Sequence, residues 1–219
     1  MSENSYSHID NKKNPLDKKL DTLFKNKRNG VFIELGAFDG LTQSNTAFFE
    51  FYREWSGILI EPSKKSYELC VKNRPNSVVL NCCCVSSSYN YSTIFGDFDS
   101  NLMSSVNGKR VNSDNLIEVN VSTLDKIINE NLKNKSIDFL SIDAEGYEFE
   151  ILKGLNININ RPKYVLIEIY DKDYDEICFF LHNNKYLMHS NFSNYNSIDN
   201  PGWDETHNDY LFYDATNNE

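Results

Sequence analysis

The segment Val31-Phe32-Ile33-Glu34-Leu35-Gly36-Ala37-Phe38-Asp39-Gly40 carries the strongest signal for the architecture of this chain. Its first five residues are apolar apart from Glu34, which is the length and character of a buried strand. The strand runs into E-x-G-x-x-x-G, where glycines let the backbone turn sharply and approach a ligand closely. Similar apolar runs recur along the chain. They predict strands at 57–60, 78–84, 117–121, 137–142, 164–169, 185–189 and 209–213. Helical spacing predicts helices at 15–27, 43–52, 63–72, 122–131, 147–155 and 174–183, with Pro15 in a first turn and Ser63 as an N-cap. Residues 86–116 are polar and read as a hairpin or a loop, one that can serve as a lid over an acceptor. Strands alternating with helices imply an α/β doubly wound sheet, mostly parallel. Ligands of such sheets bind outside the carboxyl ends of the strands, so the residues just after each strand are the candidates.

Composition narrows the function classes. The chain has 219 residues, with 22 Lys+Arg against 32 Asp+Glu and a net charge of −10. That length suits one domain, and a net negative surface repels phosphate backbones. Nucleic acid is therefore an unfavoured partner, even with Lys12, Lys13, Lys18 and Lys19 near the start. Hydrophobic residues make up 40%, too many for a disordered chain. No apolar run approaches the ~20 residues of a membrane span, and residues 1–29 have no signal-peptide core. Five cysteines, an odd count, point to free thiols and a cytoplasmic location. The run Cys82-Cys83-Cys84 lacks the spacing of a zinc site, and neighbours on a strand point to opposite faces. It reads as buried small hydrophobes.

Three clusters of residues point to a ligand. Asp39 would place a carboxylate beside any pyrophosphate on the glycine loop. This disfavours a nicotinamide dinucleotide and suits a cationic ligand such as S-adenosylmethionine (SAM). Glu61, at the tip of the second strand and 25 positions after Gly36, can accept hydrogen bonds from both ribose hydroxyls. Asp143, in Ile142-Asp143-Ala144-Glu145-Gly146-Tyr147-Glu148, falls at the end of the fourth parallel strand beside the ligand.

These residues also match a known pattern. The chain resembles the FkbM family of SAM-dependent methyltransferases over roughly residues 7–213. The resemblance rests on residues 30–40, Ser44-Asn45-Thr46 with Phe48-Phe49-Glu50, residues 55–62, Asn81 with Ser86, residues 121–125, residues 137–148 and residues 161–169. It implies a class I methyltransferase (Rossmann-like) fold of seven strands with an antiparallel last strand. It also implies O-methylation of a hydroxyl on a sugar, glycan or natural product. By position, Glu34, Gly36, Asp39 and Gly40 would line the methionine half of SAM, Glu61 would hold the ribose, and Asn81 and Cys82 would lie toward the adenine. Ala37, Asn45 and Pro62 complete the implied cofactor-binding set, and Asp143 would face the transferable methyl. The chain departs from the family pattern at Cys82-Cys83-Cys84 and at Ser141, where lysine is frequent.

An alcohol is a poor nucleophile while protonated, so a base is expected. Asp143, Glu145, Glu168 and His207 are candidates, with Asp143, Glu168 and His207 taken as the catalytic set. A divalent metal held by Asp143 with Glu168 or His207 is the disfavoured alternative, and no metal ligand is assigned. The other open readings are a nucleic-acid methyltransferase and a cofactor-binding module without turnover. The expected organisation is a helical lead over 1–28, a methyltransferase domain over 29–214 and a polar tail over 215–219. The expected partners are a small-molecule or glycan acceptor, and a homo-oligomer is compatible with the sequence.

Overall fold

The computed structural model describes residues 3–99, 103–108, 114–133 and 135–217. After α1 (Leu16–Leu23) the chain alternates: β1 (Val31–Leu35), α2 (Ala47–Arg53), β2 (Ser56–Ile60), α3 (Lys64–Asn73) and β3 (Val78–Leu80). A second unit follows, with β4 (Cys83–Cys84), β5 (Thr93–Gly96) and β6 (Ile117–Ser122). The chain then returns through α4 (Leu124–Asn131), β7 (Phe139–Ile142), α5 (Glu148–Lys153), β8 (Tyr164–Tyr170), α6 (Tyr174–Asn183), β9 (Tyr186–Asn191) and β10 (His207–Asp214).

Seven strands form the main sheet in the order β3-β2-β1-β7-β8-β10-β9. The pairs from β3 through β8 are parallel, and β10 runs antiparallel to both β8 and β9. This is the mostly parallel sheet with an antiparallel last strand read from the sequence. The strand order reverses between β1 and β7, the topological switch point where such sheets open a ligand crevice.

Two-residue periodicity splits the strands' apolar side chains between two cores. Ile33, Leu35, Ile58, Ile60, Ile142 and Ile167 pack with Ile127 and Ile128 of α4, Ile151 of α5 and Ile177 of α6. Phe32, Leu59, Phe139, Leu166 and Leu211 face the other way, onto Leu16 and Leu20 of α1 and Phe48 and Phe49 of α2. The N-terminal segment thus contributes buried side chains to the same core as β1.

Two elements differ from the sequence reading. The strand expected over 78–84 breaks after Leu80, because the Asn81 amide turns back and donates to the carbonyls of Glu61 and Pro62 at 2.9 and 2.8 Å. Cys83–Cys84 then pairs with β6 in a separate sheet of order β4-β6-β5, so the strand expected at 117–121 belongs there too. The helix expected from Gln43 starts at Ala47, since Asn45 N–H and the hydroxyls of Ser44 and Thr46 all donate to Glu34 instead. At α3 the expected N-cap is present, with Ser63 accepting from the Ser66 amide.

Candidate active site

A cavity of about 360 Å³ opens at the carboxyl edge of the main sheet, across the switch point. Each strand delivers one or two residues to it: Glu61 and Pro62 after β2, Gly36 after β1, Asp143 after β7, Glu168 from β8 and His207 from β10. Its opposite wall is apolar, built from the small sheet and α5: Cys82, Cys83, Cys84, Phe98, Val106 and Ile151. All three cysteines border the cavity, although Cys83 and Cys84, consecutive on β4, pack into different apolar clusters, and Cys82 sits in the turn between β3 and β4.

Gly36 adopts φ +76°, and a Cβ there would stand 2.0 Å from the Asp143 carbonyl oxygen. Only glycine fits between β1 and β7 at this point. Glu61 is buried, and its two oxygens accept the amides of Phe38 (2.8 Å) and Ser63 (2.7 Å). Burial pushes its carboxyl up to about 7, against those two bonds. The carboxylate is thus clamped at the cavity wall with lone pairs to spare.

Asp143 and Glu168 occupy one level of the sheet. Ile142 pairs with Ile167, so the next residues on each strand are neighbours, and Glu168 pairs directly with Asp209 on β10. Glu168 receives His207 on one side, Nε2 standing 3.2 Å from Oε1, while its Oε2 is buried without a hydrogen-bond partner among the described residues. The other His207 nitrogen, Nδ1, lies 3.0 Å from the Thr206 hydroxyl. Burial raises the carboxyls of Asp143 and Glu168 well above the ordinary range, and repulsion from neighbouring acids adds to it, Glu145 and Asp209 acting on Asp143, and Asp143 and Glu148 on Glu168. Behind them, Glu148 accepts the amides of Ala144 and Gly146 at 2.9 and 3.0 Å, shaping the turn after β7. Burial pushes its carboxyl up to about 7.

Gly36, Glu61, Pro62, Cys82, Asp143, Glu168 and His207 are thus brought together around one cavity. The other sequence candidates stand behind it. Glu34 accepts from Ser44, Asn45 and Thr46 and lies 3.6 Å from the fully buried Arg74. Arg74 in turn donates to Glu50 (2.8 Å), the Gly40 carbonyl (2.9 Å) and Thr46 Oγ1 (2.9 Å). Asp39 is used within its own turn, accepting the amides of Leu41 and Thr42 at 2.9 and 2.7 Å. Ala37 packs in the core beside α1 and α2, Asn45 donates to Ser141, and Asn81 binds the backbone after β2.

Sequence reasoning passed over His8, Phe38, Gln43, Phe98, Val106 and Tyr147, which also line the cavity. Phe38 and Tyr147 sit within the quoted motifs and could have been found there. His8 enters from the N-terminal segment, held by the bonds Leu16 N–H to His8 carbonyl (2.9 Å) and Asn11 N–H to Ser193 carbonyl (3.1 Å). No local pattern announces it. Arg74, just after α3, stands among polar sequence neighbours (Lys72, Asn73, Asn76, Ser77) and carried no signal in the sequence.

Among the described residues, no group of three or more His, Cys, Asp and Glu side chains is arranged to hold a metal ion. Nor is any helix there long and apolar enough to cross a membrane.

Comparison with known proteins agrees with this geometry. The chain is similar in structure to Aeropyrum pernix fibrillarin in complex with natively bound SAM (TM-score 0.51, 12% identity, covering 89% of this chain and 74% of that one). It is similar to M. capricolum TrmK in complex with S-adenosyl-homocysteine (SAH; TM-score 0.50, 11% identity, 90% and 68% covered). It is also similar to a TehB-like SAM-dependent methyltransferase from Corynebacterium glutamicum (TM-score 0.50, 6% identity, 91% and 86% covered). At these identities the likeness speaks to fold. No curated protein matches the chain in sequence. The family model of the methyltransferase FkbM domain matches residues 34–188, from the end of β1 into β9. The chain therefore belongs to the FkbM methyltransferase domain family.

Proposed function

We propose that the protein transfers a methyl group from SAM to a hydroxyl of a small-molecule or glycan acceptor. The observation that carries this reading is the order of groups along the cavity: Glu61 after β2, Gly36 after β1 and Asp143 after β7, opposite an apolar wall. These residues fit SAM. The clamped Glu61 carboxylate suits a vicinal diol, the bare Gly36 backbone leaves room where a side chain would fill the crevice, and the wall of Cys82, Cys83, Cys84 and Phe98 suits a flat heterocycle. When bound, SAM supplies a methyl on a sulfonium whose departure as a neutral thioether needs no acid.

The chain's own residues then have three tasks. The walls orient the acceptor and exclude water, which is where much of the barrier reduction arises. Asp143, with no hydrogen-bonded partner for its carboxylate among the described residues, takes the proton of the acceptor hydroxyl. Glu168, held by His207, fixes the acceptor beside Asp143. Glu34, Asp39, Gly40 and Asn45 act at one remove, by shaping the loop after β1. The net charge of −10 supports a small or glycan acceptor over nucleic acid. The five free cysteines support a cytoplasmic location.

Isothermal calorimetry with SAH tests the reading. The wild type is expected to bind, and Glu61→Ala to bind at least about tenfold more weakly, the worth of one charge-assisted hydrogen bond. Absence of SAH binding by the wild type would overturn the assignment. Asp143→Asn should retain SAH affinity while losing methyl transfer.

A further inference from the structure

The acceptor end of the cavity contains more negative charge than methyl transfer to a neutral alcohol requires. Asp143 and Glu168 line the cavity, and Asp209 stands beside Glu168 outside its lining; the three share one level, just after β7 and on the adjacent strands β8 and β10. Strands lie about 4.8 Å apart, so these carboxylates crowd one another across the sheet. Glu168 is only 7% exposed, lines the cavity and leaves Oε2 buried without a partner among the described residues. A buried carboxylate oxygen left unpaired is costly, and a row of acids compounds the cost. Among the described residues neither Asp143 nor Glu168 pairs with a lysine or arginine. The groups facing the row are His207, His8, the Tyr195 ring and the acids Glu145 and Glu148, with Ser193 hydrogen-bonding Asp209 and Lys19 acting on it from α1.

Building on the proposed methyl transfer, we propose that the acceptor is a cation: it carries an ammonium group beside the hydroxyl to be methylated, and Glu168 holds that ammonium. An ammonium donates three hydrogen bonds and neutralises charge in the same small volume. The cofactor's own amine does not account for the row. Glu168 lies three strand spacings from Glu61, about 14 Å across the sheet, and Asp209 lies one further on. A metal ion is the other cation that acids collect, but no group of side chains among the described residues is arranged to hold one. Burial and mutual repulsion also favour protonation of Glu168 in the free protein. Binding of an ammonium therefore releases a proton to solvent.

The test uses full-length protein saturated with SAH. D-glucosamine and ethanolamine serve as cationic probes, D-glucose and ethylene glycol as their neutral counterparts. Binding is followed by calorimetry in two buffers of different ionisation heat. Each cation is expected to bind at least about tenfold more tightly than its counterpart, with proton release, from the worth of one charge-assisted hydrogen bond. In Glu168→Gln that margin should fall to near unity while SAH affinity stays within about twofold. If neither cation exceeds its counterpart, or if the margin survives in Glu168→Gln, the inference is overturned. Should Glu168→Gln fail to fold, Asp209→Asn replaces it and should reduce the margin, while the wild-type contrast stands by itself. SAH binding measured first separates the outcomes: its failure refutes the methyltransferase reading, whereas SAH binding without cation preference refutes only this inference.

Discussion

Gly36 lies against Asp143: a Cβ at position 36 would stand 2.0 Å from the Asp143 carbonyl oxygen. The turn after β1 and the turn after β7 are therefore packed backbone to backbone. Gly36→Ala must push them apart and also hold alanine at φ +76°. The expected cost is about 1–3 kcal/mol for the backbone conformation alone, before the clash is relieved. Urea denaturation should show the loss of stability, and calorimetry should show SAH affinity reduced by more than tenfold or abolished.

Arg74 is fully buried and binds Glu50 at 2.8 Å, with Glu34 at 3.6 Å. Replacing it by methionine keeps much of the volume but leaves two buried carboxylates without their cation. Arg74→Met is expected to cost about 3–5 kcal/mol, as breaking one side of a buried ion pair does. The midpoint of chemical denaturation measures this. A variant of wild-type stability would show that Glu34 and Glu50 are satisfied by their hydroxyl and amide donors alone.

Stability should fall as pH rises through neutrality. Burial pushes Glu61 and Glu148 up to about 7 and raises Asp143, Glu168 and Asp209 as well. The folded chain then holds protons that the unfolded chain has released, so stability is fullest below the ordinary carboxylate range and is lost as pH passes the raised values. For Glu61, moving from 4.5 to about 7 corresponds to about 3 kcal/mol. Melting of the ligand-free protein at pH 5.5 and pH 8 should show the lower Tm at pH 8, with a smaller difference in Glu61→Gln.

The thiols should be inert in the native state. Burial pushes Cys82 up to about 11 and Cys70 and Cys83 up to about 12, and raises Cys84 and Cys178 as well. Since the thiolate is the reacting form, iodoacetamide at pH 7.5 should modify none of the five cysteines appreciably within the time that fully modifies the protein in urea. Mass spectrometry of the alkylated protein checks this. Rapid native labelling of Cys83 or Cys84 would show that the small sheet opens readily.

The legible parts of the fold were those where burial on both faces leaves an unbroken apolar run. β1, β2, β7 and β8 could be read for that reason, and the residues following them located the cavity. The break after β3 was hidden because Cys82-Cys83-Cys84 extends the apolar pattern, while the cause of the break is one long-range bond set from Asn81. The start of α2 was misplaced because Glu34, ten or more residues upstream, competes for the donors of Ser44, Asn45 and Thr46. His8 and Arg74 depend wholly on tertiary packing, to which residue type and spacing give no access. Asp143 and Glu168 were each suspected from strand-end position. Their alignment with Asp209 depends on strand register, which residue spacing alone does not reveal.

That register has an evolutionary consequence. Because side chains alternate between the faces of a strand, sliding β8 or β10 by one residue would remove a carboxylate from the row and carry the strand's buried apolar residues to the wrong side at the same time. Charge at the acceptor end is thus inherited with the sheet itself and can be altered only by substitution in place. Change in acceptor shape is free to arise in the connections between strands, such as residues 196–206, where insertions leave the pairing intact. Lineages descended from this scaffold should diversify the outline of their substrates more readily than the electrical character of the group those substrates present.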